Sequence, residues 1–490
     1  MPHTEDLSDL LKQRLKKLQV LQKKGKTTFA YSFKDKQDIG SVTSKYFKLE
    51  ASQEGEKAKI GGRIVAFRQH GKATFADVAD SSGKIQLYFA ADVLGKRYEE
   101  LSELDIGDIA GFEGLVFKTR RGELSLKVEK YQLLTKSLRP LPEKWHGLKD
   151  VETRFRQRYL DLIANPRARE IFSIREKALR TIRNFLNDKG FAEVDTPILQ
   201  PLYGGATARP FVTHHNALDR DLYLRIAPEL YLKRLLIGNM EKVFELGRNF
   251  RNEGLSIKHN PEFTMLEVYQ AYADYNDMMD LTEKLIKEMV NVASGSLKIT
   301  YQDKEIDFSK FEKISMIESI EKLGKVKVSF DMNVAELKKI AKNNEIKLQD
   351  FWGKGHIINA IFEKLVEPQL IQPTFVTDFP VEVSPLARTN QKDENLAERF
   401  ELIVFAREVA NAFSELTNPI EQRKRFEEQI KTEARDEVPQ VIDEDFIKAL
   451  EYGMPPAGGL GVGIDRLLMI LTDSYSIKEV ILFPHLRTFE

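Results

Sequence analysis

The stretch Asn249-Phe250-Arg251-Asn252-Glu253 carries an arginine and a glutamate two positions apart in a predicted β-strand. Alternation along a strand would place Arg251 and Glu253 on one face of a sheet. A guanidinium can neutralise a phosphate oxygen, and a carboxylate can accept a hydrogen bond from an exocyclic amine. By itself the pair indicates a nucleotide site only weakly, because a cross-strand salt bridge between arginine and glutamate is more common.

A glycine-rich run supplies a second element. Gly458-Gly459-Leu460-Gly461-Val462-Gly463 leads into Ile464-Asp465-Arg466 at a predicted helix start, and bare backbone lets a ligand approach closely. Arg466 in a first helical turn opposes the helix dipole and needs an anionic partner, for which Asp465 and an ATP phosphate are both open. No G-x-x-x-x-G-K-[ST] loop or G-x-G-x-x-G turn is present, so a nucleotide site must be built in another way.

Composition narrows the class of protein. A chain of 490 residues predicts two or more domains, and 42% hydrophobic with 31% charged residues is typical of a soluble globular protein. The polar, acidic N-terminus does not resemble a secretory signal, so we expect a cytoplasmic protein. The absence of cysteine excludes disulfides, thiolate zinc sites and cysteine nucleophiles. With 75 basic and 75 acidic residues, any RNA contact must come from local patches.

The pattern along the chain predicts a small domain followed by a large one. A basic amphipathic helix is expected from Leu10 to Lys26, and a solvated helix and an RNA contact are equally open interpretations of it. Five short alternating runs predict a small closed antiparallel barrel. The predicted segments are a lead-in at 1–56, the barrel at 57–134, a linker at 135–150, and a larger domain at 151–490 with an insertion near 297–350.

Three stretches in a fixed order carry a resemblance to a known family. Phe191 to Leu199 resembles motif 1 of the class II aminoacyl-tRNA synthetases, Phe244 to Phe263 resembles motif 2, and Gly458 to Leu471 resembles motif 3. The resemblance implies an α+β fold, with an antiparallel sheet flanked by helices and an N-terminal OB-fold barrel that reads the anticodon. In this family motif 1 forms the subunit interface, which implies a homodimer.

Longer phrases indicate which amino acid is activated. Gly204 to Phe211, His214 to Leu218 and Leu224 to Arg234 resemble the lysyl-tRNA synthetases closely, and the aspartyl and asparaginyl relatives much less. Lysine has two ammonium groups and one carboxylate, so its pocket needs more than one buried acid and a single cation. The implied reaction is attack of the lysine carboxylate on ATP to give lysyl-adenylate, followed by transfer of the lysyl group to the 3′ end of tRNA(Lys).

The resemblance also assigns roles to individual residues. In the lysine pocket Glu229 would bind the α-ammonium, Arg251 and Asn411 the carboxylate, and Glu415 with Tyr269 the ε-ammonium. Any one of these carboxylates alone would more often be a surface or salt-bridged residue. The implied sets are Gly205, Glu229, Arg251, Glu267, Tyr269, Asn411, Phe413 and Glu415 for lysine; Arg251, Glu253, His259, Phe263 and Arg466 for ATP, with Arg251, Glu253 and Arg466 catalytic; Glu401 and Glu408 for Mg²⁺; and Phe75, Gln86 and Glu123 for the anticodon.

Several of these assignments have plain alternatives. Glu401 and Glu408 are spaced by seven, which on a helix would form a solvated stripe, and Phe75 could be a barrel core residue. Rival functions are an aspartyl- or asparaginyl-tRNA synthetase on the same scaffold and a non-catalytic tRNA-binding paralogue. A truncated relative that attaches lysine to a protein lacks the N-terminal barrel that this chain has.

Overall fold

The computed structural model describes residues 9–141, 150–433 and 441–487, with side chains up to Ile430 in the second range. The chain divides into two compact units, residues 1–149 and 150–490. Residues 142–149 of the predicted linker, and the first eight residues of the lead-in, lie outside the described residues. None of the described helices combines the length and the apolar character needed to cross a membrane.

The first unit is a closed five-stranded barrel in the order β1-β2-β3-β5-β4. Its inward face is apolar, because alternate residues such as Ala76 and Val78 are buried while their neighbours are not. The prediction of an antiparallel barrel is wrong for one pair, since β3 and β5 run parallel. A ring of five strands cannot alternate direction all the way round. The elements are α1 (Asp9–Lys23), α2 (Ile39–Tyr46), β1 (Glu54–His70), β2 (Ala73–Ala79), β3 (Lys84–Ala90), α3 (Ala91–Leu94), β4 (Ile109–Lys118) and β5 (Leu124–Thr135).

Helix α1 is attached to the barrel by its own basic residues. Arg14 is buried and donates to the carbonyl oxygens of Ser137 and Ile106 at 3.1 and 2.9 Å. Lys17 pairs with Asp105 at 2.7 Å, and Lys26, just beyond the helix, pairs with Glu103 at 2.7 Å. Part of the positive charge in this segment is therefore used within the first unit.

The second unit is built on an eight-stranded sheet in the order β14-β15-β16-β17-β18-β11-β10-β6. Its central pairs are antiparallel, and only the edge pairs with β6 and β14 are parallel. This confirms the predicted α+β fold class. The strands are β6 (Ala192–Glu193), β7 (Leu199–Gln200), β8 (Val212–His215), β9 (Arg220–Leu224), β10 (Lys242–Phe250), β11 (Glu262–Ala271), β12 (Lys298–Tyr301), β13 (Lys304–Asp307), β14 (Glu312–Ser315), β15 (Thr374–Pro380), β16 (Leu396–Ile403), β17 (Glu408–Ser414) and β18 (Ala457–Gly463).

Helices cover both faces of this sheet. The main core lies where α6, α8 and α14 pack on one face through residues such as Ile182, Leu285 and Leu468, which meet Leu266 and Val462 of the sheet. On the opposite face, α7 and α13 pack around Tyr269. The helices are α4 (Val151–Arg156), α5 (Arg158–Ala164), α6 (Pro166–Asp188), α7 (Glu229–Ile237), α8 (Tyr275–Ser294), α9 (Met316–Lys322), α10 (Val334–Asn343), α11 (Lys354–Leu365), α12 (Pro419–Glu433), α13 (Glu444–Glu451), α14 (Ile464–Leu471) and α15 (Ile477–Val480).

The segment 297–350 contributes to the second unit at the edge of its sheet. Strand β14 pairs with β15 over Glu312↔Thr374 to Ser315↔Thr377. Ile320 of α9 and Leu337 of α10 are fully buried in a satellite core with Phe362 of α11. Irregular patterning in the sequence therefore coincides with short elements that share a core with the main sheet.

Candidate active site

Three strands of the sheet form the floor of a pocket. In β11 the side chains of Met265, Glu267 and Tyr269 line this pocket, whereas those of the alternating residues lie in the main core. In β17 Asn411 and Phe413 line it in the same way. Strand β18 runs between these two strands and presents glycines, with Gly461 in register with Glu267 and Asn411, and Gly459 in register with Tyr269 and Phe413. The result is a trough with side-chain walls and a bare floor.

The glycine at position 459 is required by the close approach of an acid. A Cβ atom added there would overlap Glu415 Oε1 and lie 2.6 Å from Cε1 of Tyr269. Glu415 follows β17 directly and is almost fully buried, at 1% exposed. The glycine run thus admits a carboxylate from the neighbouring strand into the trough.

Another glycine shapes the rim of the same pocket. Gly205 has φ +84°, a conformation that glycine adopts readily, and a Cβ there would lie 2.9 Å from Cβ of Glu229. Gly205, Glu229, Glu267, Tyr269, Asn411, Phe413 and Arg251, seven of the eight residues expected at the lysine site, line this one pocket. Glu415, the eighth, lies against Gly459 on the pocket floor.

A buried lysine that sequence reasoning missed lies among these acids. Lys233 Nζ is 2.6 Å from Glu229 Oε1 and 2.5 Å from Glu415 Oε2, and its side chain is completely buried. The ammonium also lies 5.3 Å from the centre of the Phe413 ring. Burial opposes its charge, but the two carboxylates outweigh burial and the pKa of Lys233 is raised. The pocket therefore contains an internal cation.

Two acids at the pocket, Glu267 and Glu415, have raised pKa values. Burial, reinforced by the charge of Glu229, raises the pKa of Glu267 to about 8, although a 3.1 Å hydrogen bond from the hydroxyl of Tyr269 opposes the rise. Burial also raises the pKa of Glu415 to about 8, and Lys233 opposes that rise. Glu415 Oε1 has no hydrogen-bond partner among the described residues. A buried acceptor of this kind suits an incoming ammonium group.

A second pocket adjoins the first and is lined by the predicted nucleotide residues. Arg251, Glu253, His259, Phe263 and Arg466 all line it. The guanidinium of Arg251 lies 5.1 Å from the centre of the Phe263 ring, and burial lowers the pKa of Arg251 while Glu253 opposes that shift. The same pocket includes Gly461 and Gly463 of β18, so bare backbone borders it as expected.

The strand predicted for Arg251 and Glu253 is wrong. Strand β10 ends at Phe250, and both residues lie in the following loop. The nitrogen of Arg251 still donates to the carbonyl of Pro261 at 2.8 Å, but Pro261 has no N–H to return the bond, so the ladder stops there. Arg251 and Glu253 converge on the pocket through the loop and not through strand alternation.

Arg466 does not pair with Asp465, the internal partner considered from the sequence. Its Nη1 lies 3.2 Å from both the carbonyl oxygen and Oε2 of Glu408, and its Nη2 lies 3.3 Å from His259 Nε2. Asp465 is buried and instead accepts from the nitrogen of Thr264 at 2.7 Å and from Arg175 Nη1 at 2.5 Å. The arginine is thus directed to Glu408 and His259, and the aspartate to Thr264 and Arg175.

Glu401 and Glu408 lie on paired strands, so the alternative of a solvated helical stripe is wrong. Glu401 belongs to β16 and Glu408 begins β17, and both line a third pocket. Arg399 Nη2 donates to Glu401 at 2.6 Å, yet burial raises the pKa of Glu401 to about 8. Sequence reasoning missed the other charged residues of this pocket, which are Lys258, Glu363, Glu367, Arg399 and Arg407.

The candidate anticodon residues lie on the outside of the barrel in the first unit. Phe75 is half-buried between the inward-facing Thr74 and Ala76, so the core alternative for Phe75 is wrong. Its ring lies 5.1 Å from that of Tyr88, which in turn lies 5.9 Å from that of Phe117. Gln86 accepts from the hydroxyl of Ser125 at 2.9 Å. Tyr88 and Phe117 extend the outer aromatic row beyond the predicted residue.

The third anticodon residue lies in a hairpin. Glu123 is exposed at the turn between β4 and β5, where its nitrogen donates to Thr119 Oγ1 at 3.0 Å. Its carboxylate is therefore at the surface of the same unit as the aromatic row.

Comparison with known proteins agrees with this architecture. Residues 150–487 match the family described as tRNA synthetases class II (D, K and N), and residues 58–134 match the OB-fold nucleic acid binding domain. The first of these matches covers well over half of the chain. The chain belongs to the class II tRNA synthetases.

Curated relatives narrow the family further. A lysine--tRNA ligase of Carboxydothermus hydrogenoformans is 53% identical over 490 residues, covering 99% of both chains. A lysine--tRNA ligase of Pelotomaculum thermopropionicum is 53% identical over 99% of this chain and 96% of its own. That of Halalkalibacterium halodurans is 50% identical over 98% and 97%. Within the class, this chain falls in the lysine--tRNA ligase family.

Proposed function

We propose that this chain activates L-lysine with ATP and transfers the lysyl group to the 3′ end of tRNA(Lys). Similarity to lysine--tRNA ligases along nearly the whole chain carries this conclusion. The aspartyl and asparaginyl alternatives are not favoured, since Glu229 and Glu267 line the pocket, Glu415 lies against Gly459 at its floor, and the buried cation Lys233 is already paired with Glu229 and Glu415. An amino acid with a second ammonium matches that excess of acid.

Within the pocket we assign lysine as follows. Glu415, with its unpartnered Oε1, and Tyr269 bind the ε-ammonium, while Glu229 binds the α-ammonium and Glu267 lies beside them. Phe413 packs on the methylene groups. Arg251 and the amide nitrogen of Asn411 bind the carboxylate, which is supported by Asn411 Oδ1 already accepting from Arg399 Nε at 3.0 Å.

The nucleotide lies in the adjoining pocket. Phe263 and Arg466 hold the adenine, Glu253 accepts from its exocyclic amine, and His259 faces the phosphates. Arg251 lines both pockets, so one guanidinium reaches the lysine carboxylate and the α-phosphate that it attacks. Positioning and charge stabilisation then account for catalysis without a protein nucleophile. The departing pyrophosphate leaves past the basic residues of the third pocket.

The donor set fits Mg²⁺ held mainly by substrate. Glu401 and Glu408 line one pocket. Among the described residues, no three or more acidic or histidine side chains form a group that could hold a metal ion by itself. One or two carboxylates with phosphate oxygens and water are the usual ligands of Mg²⁺. Bound there, the ion would neutralise the charge of the phosphates.

In the first unit, we assign stacking of an anticodon base to Phe75 and edge recognition to Gln86 and Glu123. The support is the half-buried aromatic row on the outside of the barrel beside these polar side chains, since bare bases stack on aromatic rings and are read at their edges. We also propose a homodimer through motif 1, where Ile198 and Leu199 are 45% and 47% exposed. Sedimentation equilibrium tests the dimer, because a monomer at micromolar concentration would contradict it.

The function is tested by ATP–pyrophosphate exchange with each of the 20 amino acids, followed by charging of purified tRNA. We expect exchange with lysine and charging of tRNA(Lys). Exchange with aspartate or asparagine would replace the assignment, and absence of exchange with retained tRNA binding would indicate a non-catalytic paralogue.

A further inference from the structure

Lys233 is a buried cation that the proposed reaction does not use. It shares helix α7 with Glu229 at a spacing of four, and it reaches Glu415 at the end of β17. The charged groups that face it are Glu229 from its own helix and Glu415 from the end of β17. Glu267 and Tyr269 from β11 act electrostatically on these acids. Two acids thus hold a single ammonium, and a third acid and a tyrosine lie beside them.

Burying an ammonium group at this position costs free energy, which suggests that Lys233 has a role beyond packing. Taking a charge out of water carries a desolvation penalty that an ion pair repays only with good geometry, and apolar residues of similar volume often serve stability equally well. Leu230, Leu232 and Leu236 of the same helix already supply apolar packing. Packing alone therefore does not explain a lysine at this position.

The two oxygens of Glu415 are used differently. Neither oxygen has a partner of hydrogen-bond geometry among the described residues, but Oε2 forms an ion pair with Lys233 Nζ at 2.5 Å, whereas Oε1 lies over Gly459. An acid fixed through one oxygen presents the other in a defined direction. Charge favours the same arrangement, because the acids Glu229, Glu267 and Glu415 outnumber the one ammonium beside them, Lys233, and lysine carries one net positive charge.

We propose that Lys233 is a positioning residue for lysine selection, which holds Glu229 and Glu415 in place and supplies the charge that lets Glu415 ionise opposite the substrate ε-ammonium. This inference rests on the proposed function of the pocket. It assigns Lys233 no contact with the reacting atoms. Its consequence is that loss of the ammonium acts on lysine binding and not on ATP binding.

Lys233→Met tests the proposal, because methionine has a similar length without the charge. We expect the KM for lysine in pyrophosphate exchange to rise at least ~10-fold, as is typical when one partner of a buried charge pair is removed. The KM for ATP should stay within about twofold. Without the lysine, burial and the charge of Glu229 act on Glu415 unopposed, so the pH below which the KM for lysine rises should move upward by about one unit or more.

The chain provides a matched control on helix α8. Lys287 pairs with Glu283 at the same spacing of four and the same 2.6 Å distance, but at the surface. Lys287→Met should leave both KM values and the pH profile unchanged. If Lys233→Met gives an unchanged KM for lysine, or raises both KM values equally with no pH shift, Lys233 is only structural and the proposal is overturned.

Two further measurements keep the outcome decisive. Thermal unfolding shows whether Lys233→Met folds. If it does not, Lys233→Arg is used instead, because it retains the charge in a larger group; it should keep the wild-type pH profile and raise the KM for lysine. A shifted pH profile in this charged variant would overturn the proposal. Pyrophosphate exchange by the wild-type chain tests the proposed function separately. If the wild type does not activate lysine, the proposed function is contradicted, whatever the variants show.

Discussion

Glu415 occupies the space that any side chain at position 459 would need, so the identity of Gly459 is set by the acid that faces it. Gly459→Ala should displace Glu415 or Tyr269, because a methyl group forced into a packed site costs about 1–3 kcal/mol. We expect the KM for lysine to rise about tenfold, with the KM for ATP nearly unchanged. Gly83→Ala, whose added Cβ would meet only ordinary contacts of 3.5 Å or more, is the control.

Arg251 should matter far more to the chemical step than to the fold. Removing one charge-stabilising donor typically lowers the rate about 10²- to 10³-fold, and we expect at least that loss in lysine-dependent pyrophosphate exchange for Arg251→Ala, with the thermal midpoint retained. Arg248→Ala provides the comparison, since Arg248 lies on β10, is partly exposed and lies 3.6 Å from Glu262. Near-normal exchange by Arg251→Ala would contradict the assignment of Arg251 to the reaction.

Phe75 should affect tRNA charging without affecting amino acid activation. Stacking of one base is worth about 1–3 kcal/mol, which corresponds to ~5- to 150-fold in kcat/KM for tRNA. Phe75→Ala should show such a loss in charging assays and normal pyrophosphate exchange. Phe47, an exposed aromatic residue of the same unit outside the aromatic row, gives the control variant Phe47→Ala. Equal charging by the two variants would contradict the assignment of Phe75.

Lysine binding should release protons near neutral pH. Burial raises the pKa of Glu267 from 4.5 to about 8, so this acid is largely protonated in the free protein at pH 7 and must ionise opposite an ammonium group. Calorimetric titration in buffers of different ionisation enthalpy should detect the release, which should vanish well above pH 8. Glu267→Gln should reduce it, and a heat of binding independent of buffer at pH 7 would argue against this role.

The raised pKa of Glu267 also determines how the stability of the fold changes with pH. A group whose pKa is higher in the folded state stabilises the fold fully below its unfolded pKa and loses that contribution as the pH rises through its folded pKa. For Glu267 the window runs from about 4.5 to about 8. Denaturant unfolding of the free protein should show that Glu267→Gln flattens the decline of stability with pH across this window.

The fold class follows from the sequence, since strands such as β11 and helices such as α6 have clear periodicity. The family resemblance supplied the proposed site residues, and those for lysine and ATP lie in or against two adjoining pockets. Lys233 does not follow, because a glutamate and a lysine four apart on a helix are typical of an exposed surface pair. Only the packing of α7 on the sheet shows that this pair is buried. Burial is a tertiary property that local spacing does not encode.

Sequence spacing alone leaves two interpretations open where the chain reverses direction. Glu401 and Glu408 are seven positions apart, a spacing that also fits one face of a helix, and the pairing of β16 with β17 brings them into one pocket. Strand β10 ends where Arg251 meets Pro261, which immediately precedes β11. In both cases the outcome depends on which segments of the chain pair with each other.

The buried carboxylate of Asp465 connects three segments that are far apart in the sequence. Its carboxylate joins the start of α14 to Thr264 of β11 and to Arg175 in the middle of α6, and Thr264, Asp465 and Arg466 all border the nucleotide pocket. One wall of the proposed nucleotide pocket is therefore held in place by helix α6, which precedes motif 1. A substitution of Arg175 that breaks this contact should weaken ATP binding although α6 lies outside the pocket lining.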